Sequence, residues 1–246
     1  TLKTHKLKEM KYFYEQNLGF VIENETPNSF QITLGKSSIV FNDNNVVGEP
    51  YYHFACDIPS NQFLEAKKWV MDKTNLLTEK GLNEIDFTYS VAKSFYFEDP
   101  SGNIIEFMAR LEDNPPSDKT FSLESIQKLS EMSLIVHDKM AVANLLVNNH
   151  IVERSDSEIT STSLSFMSDK KTKVYLLLAS PNRKWLFSEK KSKVFPIDIT
   201  LDSGIVLGVN NQNEFYHQAC LSRQYLLHHG FLKQARPYQE VKQFFL

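Results

Sequence analysis

What most restricts this chain is an order of elements that comes round again. One helix and three short strands are followed by a strand, a helix and three more strands, at intervals of roughly 60 residues, the mark of internal duplication. In the first unit Leu7, Met10, Phe13 and Tyr14 share a helical face, and Gly19 in Leu18-Gly19-Phe20 supplies the left-handed stop. Strands are predicted over 20–23, 30–34 and 38–41, separated by Asn-, Pro- and Gly-containing turns. The second unit opens with a strand over 51–56 and continues with Ser60 as a helix cap and Phe63, Ala66, Lys67 and Val70 along one helix face. Alternation of Ile85, Phe87, Tyr89 and Val91 predicts a strand, and Phe95-Tyr96-Phe97 leads through the turn Asp99-Pro100-Ser101-Gly102-Asn103 into Ile104-Ile105-Glu106-Phe107-Met108.

Pro115 and Pro116 sit among Glu, Asp and Ser, a stiff polar passage that reads as a linker over 113–122 between a domain at 1–112 and another at 123–246. Beyond it, 132–136 is strand-like, Asp138 can cap a helix through Leu145 and Leu146, and 160–167 can pair with 172–179 across a charged turn. The fourth unit has a candidate first strand at 195–201, whereas 214–228 looks helical, so the second domain ends in a helical tail of unassigned role. The fold class expected is α+β, with tandem βαβββ modules forming curled, open mixed sheets and helices on the outside.

Function classes can be removed on charge and hydropathy. A net charge of −3, a pI near 6.2 and no long basic run give no electrostatic footprint for nucleic acid or an anionic membrane. With no apolar run of about 18 residues and no signal-like start, a cytoplasmic protein with small-molecule partners is expected. Cys56 and Cys220 are too few and too widely spaced for a disulfide scaffold, and both lie in apolar contexts suited to core filling.

Two residues break the apolar pattern of their strands. Glu106 lies where a strand should bury its side chains, and His53 sits in the apolar run Tyr51-Tyr52-His53-Phe54-Ala55-Cys56. Alternation puts His53 with Tyr51 and Ala55 on one strand face, and Glu106 with Ile104 and Met108 on another. Taken singly, the histidine reads as a hydrogen-bonded core residue and the glutamate as an edge charge that discourages aggregation. Together they read as part of a metal site. His228-His229, with no third partner, reads as a solvated helix end, and the cluster Lys190-Lys191-Ser192-Lys193 as a soluble loop.

The ordered set of Phe13-Tyr14, Leu18-Gly19-Phe20, His53, the turn at 99–103 and Glu106 resembles the vicinal oxygen chelate superfamily, which includes glyoxalase I, bleomycin and fosfomycin resistance proteins and extradiol dioxygenases. The resemblance covers 1–110 well and 125–200 in outline. It implies a divalent cation (Fe, Mn, Ni or Zn) held by His53 and Glu106, Tyr96 as a catalytic donor or acid near the substrate, and Ile104 and Met108 as substrate-binding walls. The family's third ligand falls two residues before Thr1, and His5 lies roughly 20 Å further along and cannot replace it. In the third and fourth units the opening ligand positions carry Glu131 and Pro196, so the second half reads as a structural or lid-forming copy.

Two departures bear on the reaction. Val40 occupies the place of a further glutamate of glyoxalase I, which disfavours that activity, and the extradiol signature's upstream histidine, expected at 87–89, is missing. The resemblance implies a metal-dependent dioxygenase, lyase or isomerase acting on a small oxygen-bearing substrate. A metal-free sequestering protein of the bleomycin-resistance type is the alternative. The family also dimerises, so a homodimer stays open beside a monomer.

Overall fold

The computed structural model describes residues 1–171 and 173–219. The first module runs β1 (Leu2–Lys3), α1 (Leu7–Tyr12), β2 (Glu23–Thr26), β3 (Ser29–Leu34) and β4 (Ser37–Asn42). A π-helical turn over Phe13–Leu18 extends α1 and ends at Gly19, whose φ of 92° is the left-handed conformation that the sequence suggested. The second module has β5 (His53–Ile58), α2 (Phe63–Met71), β6 (Ile85–Phe87), β7 (Ala92–Glu98) and β8 (Ile104–Arg110). The third has β9 (Lys128–Ile135), α3 (Lys139–Asn148), β10 (Val152–Glu153), β11 (Ser165–Ser168) and β12 (Tyr175–Ala179), and β13 (Ile197–Thr200), β14 (Ile205–Val209) and β15 (Phe215–Ala219) follow. Asp138 caps α3 by accepting from the Ala141 amide at 2.9 Å.

Several local expectations are corrected. The helix begins after Gln62 with no side-chain cap, so Ser60 does not start it. The alternating run ends at Phe87, because 88–91 turn back to form the β6–β7 hairpin, with Val91 at a positive φ and Tyr89 fully exposed. The first strand of module one after its helix lies at Glu23–Thr26 instead of 20–23. Phe215–Ala219 is a strand paired with β14 and not the start of a helix, while His228 and His229 lie outside the described residues.

The modules assemble in an order that local patterning did not give. In each of the first three, the opening strand runs parallel to the strand that closes it: β1 with β4, β5 with β8, β9 with β12. Modules then join through their opening strands, outer with outer and inner with inner. The seven-stranded sheet is ordered β15-β14-β13-β1-β4-β3-β2, and the eight-stranded sheet β10-β11-β12-β9-β5-β8-β7-β6. Both sheets are mixed and open, and each takes strands from both sides of the 113–122 segment. Among the described residues no ladder joins module one to module two. The seam of the larger sheet is antiparallel, with Phe54 opposite Met132, Ala55 opposite Glu131, and a register shift between Ala55 and Cys56.

Strand alternation divides the larger sheet's faces by chemistry. Phe54, Cys56, Phe95, Phe97, Ile105 and Phe107 enter the main core. There α2 buries Phe63, Ala66 and Val70, and Phe63 meets the Phe95 ring edge-on at 5.7 Å. The other face carries His53, Tyr96, Glu106, Met108, Arg110 and Glu131, which surround a cavity.

Candidate metal centre

The site follows from the register of three adjacent strands. Ala55 on β5 stands opposite Glu106 on β8 and opposite Glu131 on β9, so the two glutamates flank one small side chain from either side. His53 is two residues before Ala55 and therefore on the same face, one pleat along. One ligand atom from each of His53, Glu106 and Glu131 lies within 4.8 Å of the others, and all three residues are buried. His53 Nε2 is 3.5 Å from Glu106 Oε2.

The third candidate ligand thus stands on β9 of the third module, while β1 belongs to the other sheet. The resemblance put the third ligand ahead of Thr1 and none in the second half, whereas the described residues offer Glu131 as a candidate. Glu131 is the counterpart of His53 in the repeat, but the antiparallel β5–β9 seam that faces it toward His53 is a long-range pairing with no local signal. By the same correspondence Leu177 on β12 stands where Glu106 stands on β8, since Tyr175 pairs with Glu131 as Ile104 pairs with His53. Three corners of the site are polar and the fourth is apolar.

Each group's surroundings suit a cation. His53 Nδ1 lies 3.0 Å from the Ile104 carbonyl, which can only accept, so Nδ1 carries the proton of the neutral ring and the Nε2 lone pair faces Glu106. Glu106 Oε1 is buried with no hydrogen-bond partner, a costly state for a carboxylate oxygen unless something positive meets it. Burial lowers the His53 pKa, but the hydrogen bond and charge of Glu106 outweigh it and the net direction is upward. Burial, then repulsion from Glu106, raises the Glu131 carboxyl to about 7 against the pull of Arg110 and His53. A bound cation would offset the Glu106 repulsion that adds to this shift.

Behind the site lies an ion network. Arg110 donates from Nη2 to Glu131 Oε1 at 2.7 Å and from Nε to Asp57 Oδ1 at 3.2 Å, with all three side chains buried. Asp57 is further approached by Lys128 at 3.7 Å. Glu106 has no share in this compensation, and its nearest positively chargeable neighbour is His53. Asp57 and Arg110 carry a local hint of this network, as ionisable residues at the ends of otherwise apolar strands.

Tyr96 is the cross-strand partner of Glu106. Burial, then the Glu106 charge, push its phenol well above the ordinary range, which keeps it a proton donor. Met108 lines the cavity with Tyr96. Ile104 does not; it is fully buried in a small cluster with Tyr96, Ile135, Leu177 and Trp185, so packing accounts for it. Trp185 and Phe187 went unrecognised in the sequence. They lie on the loop over 181–192, where the Trp185 ring centroid is 4.9 Å from that of His53 and Phe187 stacks on Tyr96 at 4.9 Å and 15°. Lys190 ties this loop to the turn before β8, donating to Glu98 and to the Gly102 carbonyl, both at 2.7 Å.

Residues 129–183, which include Glu131 and the strands β11 and β12, match the family model described as toxoflavin-degrading enzyme. No curated protein sequence matches the chain significantly. Among solved structures, a glyoxalase/bleomycin resistance protein/dioxygenase from Nocardioides is 20% identical over 48% of this chain and 85% of its own, with a TM-score of 0.38. A lactoylglutathione lyase from Agrobacterium tumefaciens is 18% identical over 46% of this chain and 92% of its own, with a TM-score of 0.37.

Proposed function

We propose that this chain belongs to the vicinal oxygen chelate superfamily and is a metal-dependent enzyme that binds a small substrate through two neighbouring oxygens. The observation that carries the reading is the convergence of His53, Glu106 and Glu131 around the space beside Ala55, with one glutamate oxygen left unpaired. A divalent ion of the iron, manganese, nickel or zinc type suits one imidazole and two carboxylates. Such an ion supplies Lewis acidity, polarising a bound oxygen and stabilising developing negative charge.

The chain's own residues define the rest. His53, Glu106 and Glu131 would hold the ion, and the Ile104 carbonyl fixes the His53 tautomer that makes this possible. Leu177 at the fourth corner offers no ligand atom, which leaves the cavity side open to substrate. Tyr96, kept protonated, can donate a hydrogen bond to a substrate oxygen beside Glu106. Trp185 and Phe187 cover His53 and Tyr96 and exclude water from that side. The match of the third module to the toxoflavin-degrading enzyme model supports a catalytic reading over sequestration.

The test is elemental analysis of protein purified without chelator, followed by titration with each candidate ion. One equivalent of metal is expected, and Glu106→Gln and His53→Ala should each weaken uptake by more than the ~10–100-fold that a supporting residue costs. A metal-free protein that binds an aromatic ligand without consuming it would overturn catalysis in favour of the sequestering alternative.

A further inference from the structure

The cavity in front of the metal centre has a volume of about 170 Å³. That is close to the ~150 Å³ of a cavity known to accept benzene, so a single ring fits within it. Its walls include Phe166, Leu177 and Trp185, and its lining also carries four cationic side chains: Arg110, Arg154, Arg183 and Lys184. Two of these are neutralised. Arg110 is held by Asp57 and Glu131, and Lys184 by Glu189 at 3.1 Å and Glu79 at 3.4 Å.

Arg154 and Arg183 have no acidic partner among the described residues. The guanidinium of Arg154 is nevertheless held in place, with its central carbon 3.7 Å from the centroid of Phe166 and 5.7 Å from that of Tyr175. Stacking of this kind orients the planar donor fork and leaves its edge N–H groups available. Arg183 is exposed, but its backbone is fixed, donating to Ser192 Oγ at 2.9 Å and accepting from the Ser192 amide at 2.7 Å. Phe166 lies on β11, two strands from Glu131 on β9, a separation of roughly 10 Å. A substituted single ring reaches from one to the other.

We infer that the substrate is a singly ringed molecule bearing an anionic group, a carboxylate or its equivalent, which Arg154 and Arg183 grip while its neighbouring oxygens face the metal centre. The inference rests on the metal reading of the site, and it adds the substrate's charge and size. An unpaired guanidinium beside an aromatic wall gains a charge-assisted, bidentate bond from a carboxylate and little from a neutral amide of the same shape.

Three probes separate the two readings: catechol, 3,4-dihydroxybenzoate and 3,4-dihydroxybenzamide, titrated calorimetrically without oxygen into protein loaded with the divalent metal it takes up. The acid should bind roughly ten- to a hundredfold tighter than the amide. Arg154→Met and Arg183→Met should each erode that preference and leave the affinity for catechol within about twofold; the exposed Arg183 keeps the test usable if the Arg154 variant misfolds. Equal binding of acid and amide overturns this inference alone. Failure of all three probes to bind the metal-loaded protein overturns it together with the chelation reading. A protein that takes up no metal, yet prefers the acid in an arginine-dependent way, upholds the anion site and removes the metal.

Discussion

Arg110 decides whether the site's acidic residues can be buried at all. It meets both Asp57 and Glu131, and without it two carboxylates would stand in the interior with only His53 and the more distant Lys128 nearby. Removing one member of a buried ionic group leaves the others uncompensated, which costs about 3–5 kcal/mol. Arg110→Met should therefore lower the urea midpoint of metal-free protein strongly and raise the Glu131 pKa further above its present value of about 7. Unfolding curves at constant m-value check this, and an unchanged midpoint would mean that the network contributes nothing. His53 and Glu106 were legible as a pair because each is an ionisable residue in an apolar strand. Glu131 carried the same signal, but its neighbours could not reveal that it would face His53 across a seam. Arg154 was not legible, since an arginine next to a turn ordinarily reads as solvated.

At the scale of elements, β5 is the strand on which the site is built. Its two neighbours bring the carboxylates, its own residue brings the imidazole, and Ala55 between them is small enough to leave room for an ion. Ala55→Leu keeps every ligand atom and fills that room. Overpacking of this kind costs about 1–3 kcal/mol, and metal uptake should fall sharply although no ligand has been changed. Titration of the variant with the metal that the parent binds measures it; full uptake would place the ion elsewhere. The loop over 181–192 shows the opposite limit of sequence reading. Its basic cluster suggested a soluble segment, yet Lys190 is anchored to Glu98 and Gly102, and Trp185 and Phe187 turn inward onto the site. Two aromatics spaced by one residue in an irregular segment carry no periodicity from which burial could be inferred.

For the whole molecule, the repeat was legible and its assembly was not. Each module's strand and helix order is set by local patterning, whereas the choice of which opening strands pair is made between residues such as Leu2 and Ile197, or Phe54 and Met132, far apart along the chain. The sheets cross the 113–122 segment, so residues 1–112 expressed alone should be insoluble or unfolded. The same fragment produced together with residues 113–246 should recover strand content and co-elute with it. Circular dichroism and size-exclusion chromatography distinguish the outcomes, and a stable, monomeric 1–112 fragment would show that the first half closes on itself.

The β5–β9 seam joins the two halves of the polypeptide, and ligand atoms stand on both of its banks. An ion seated there would act as a rivet through two plates. Chelation should then do more than silence chemistry: it should loosen the union of the halves, so that their hold on one another rises and falls with the supply of metal.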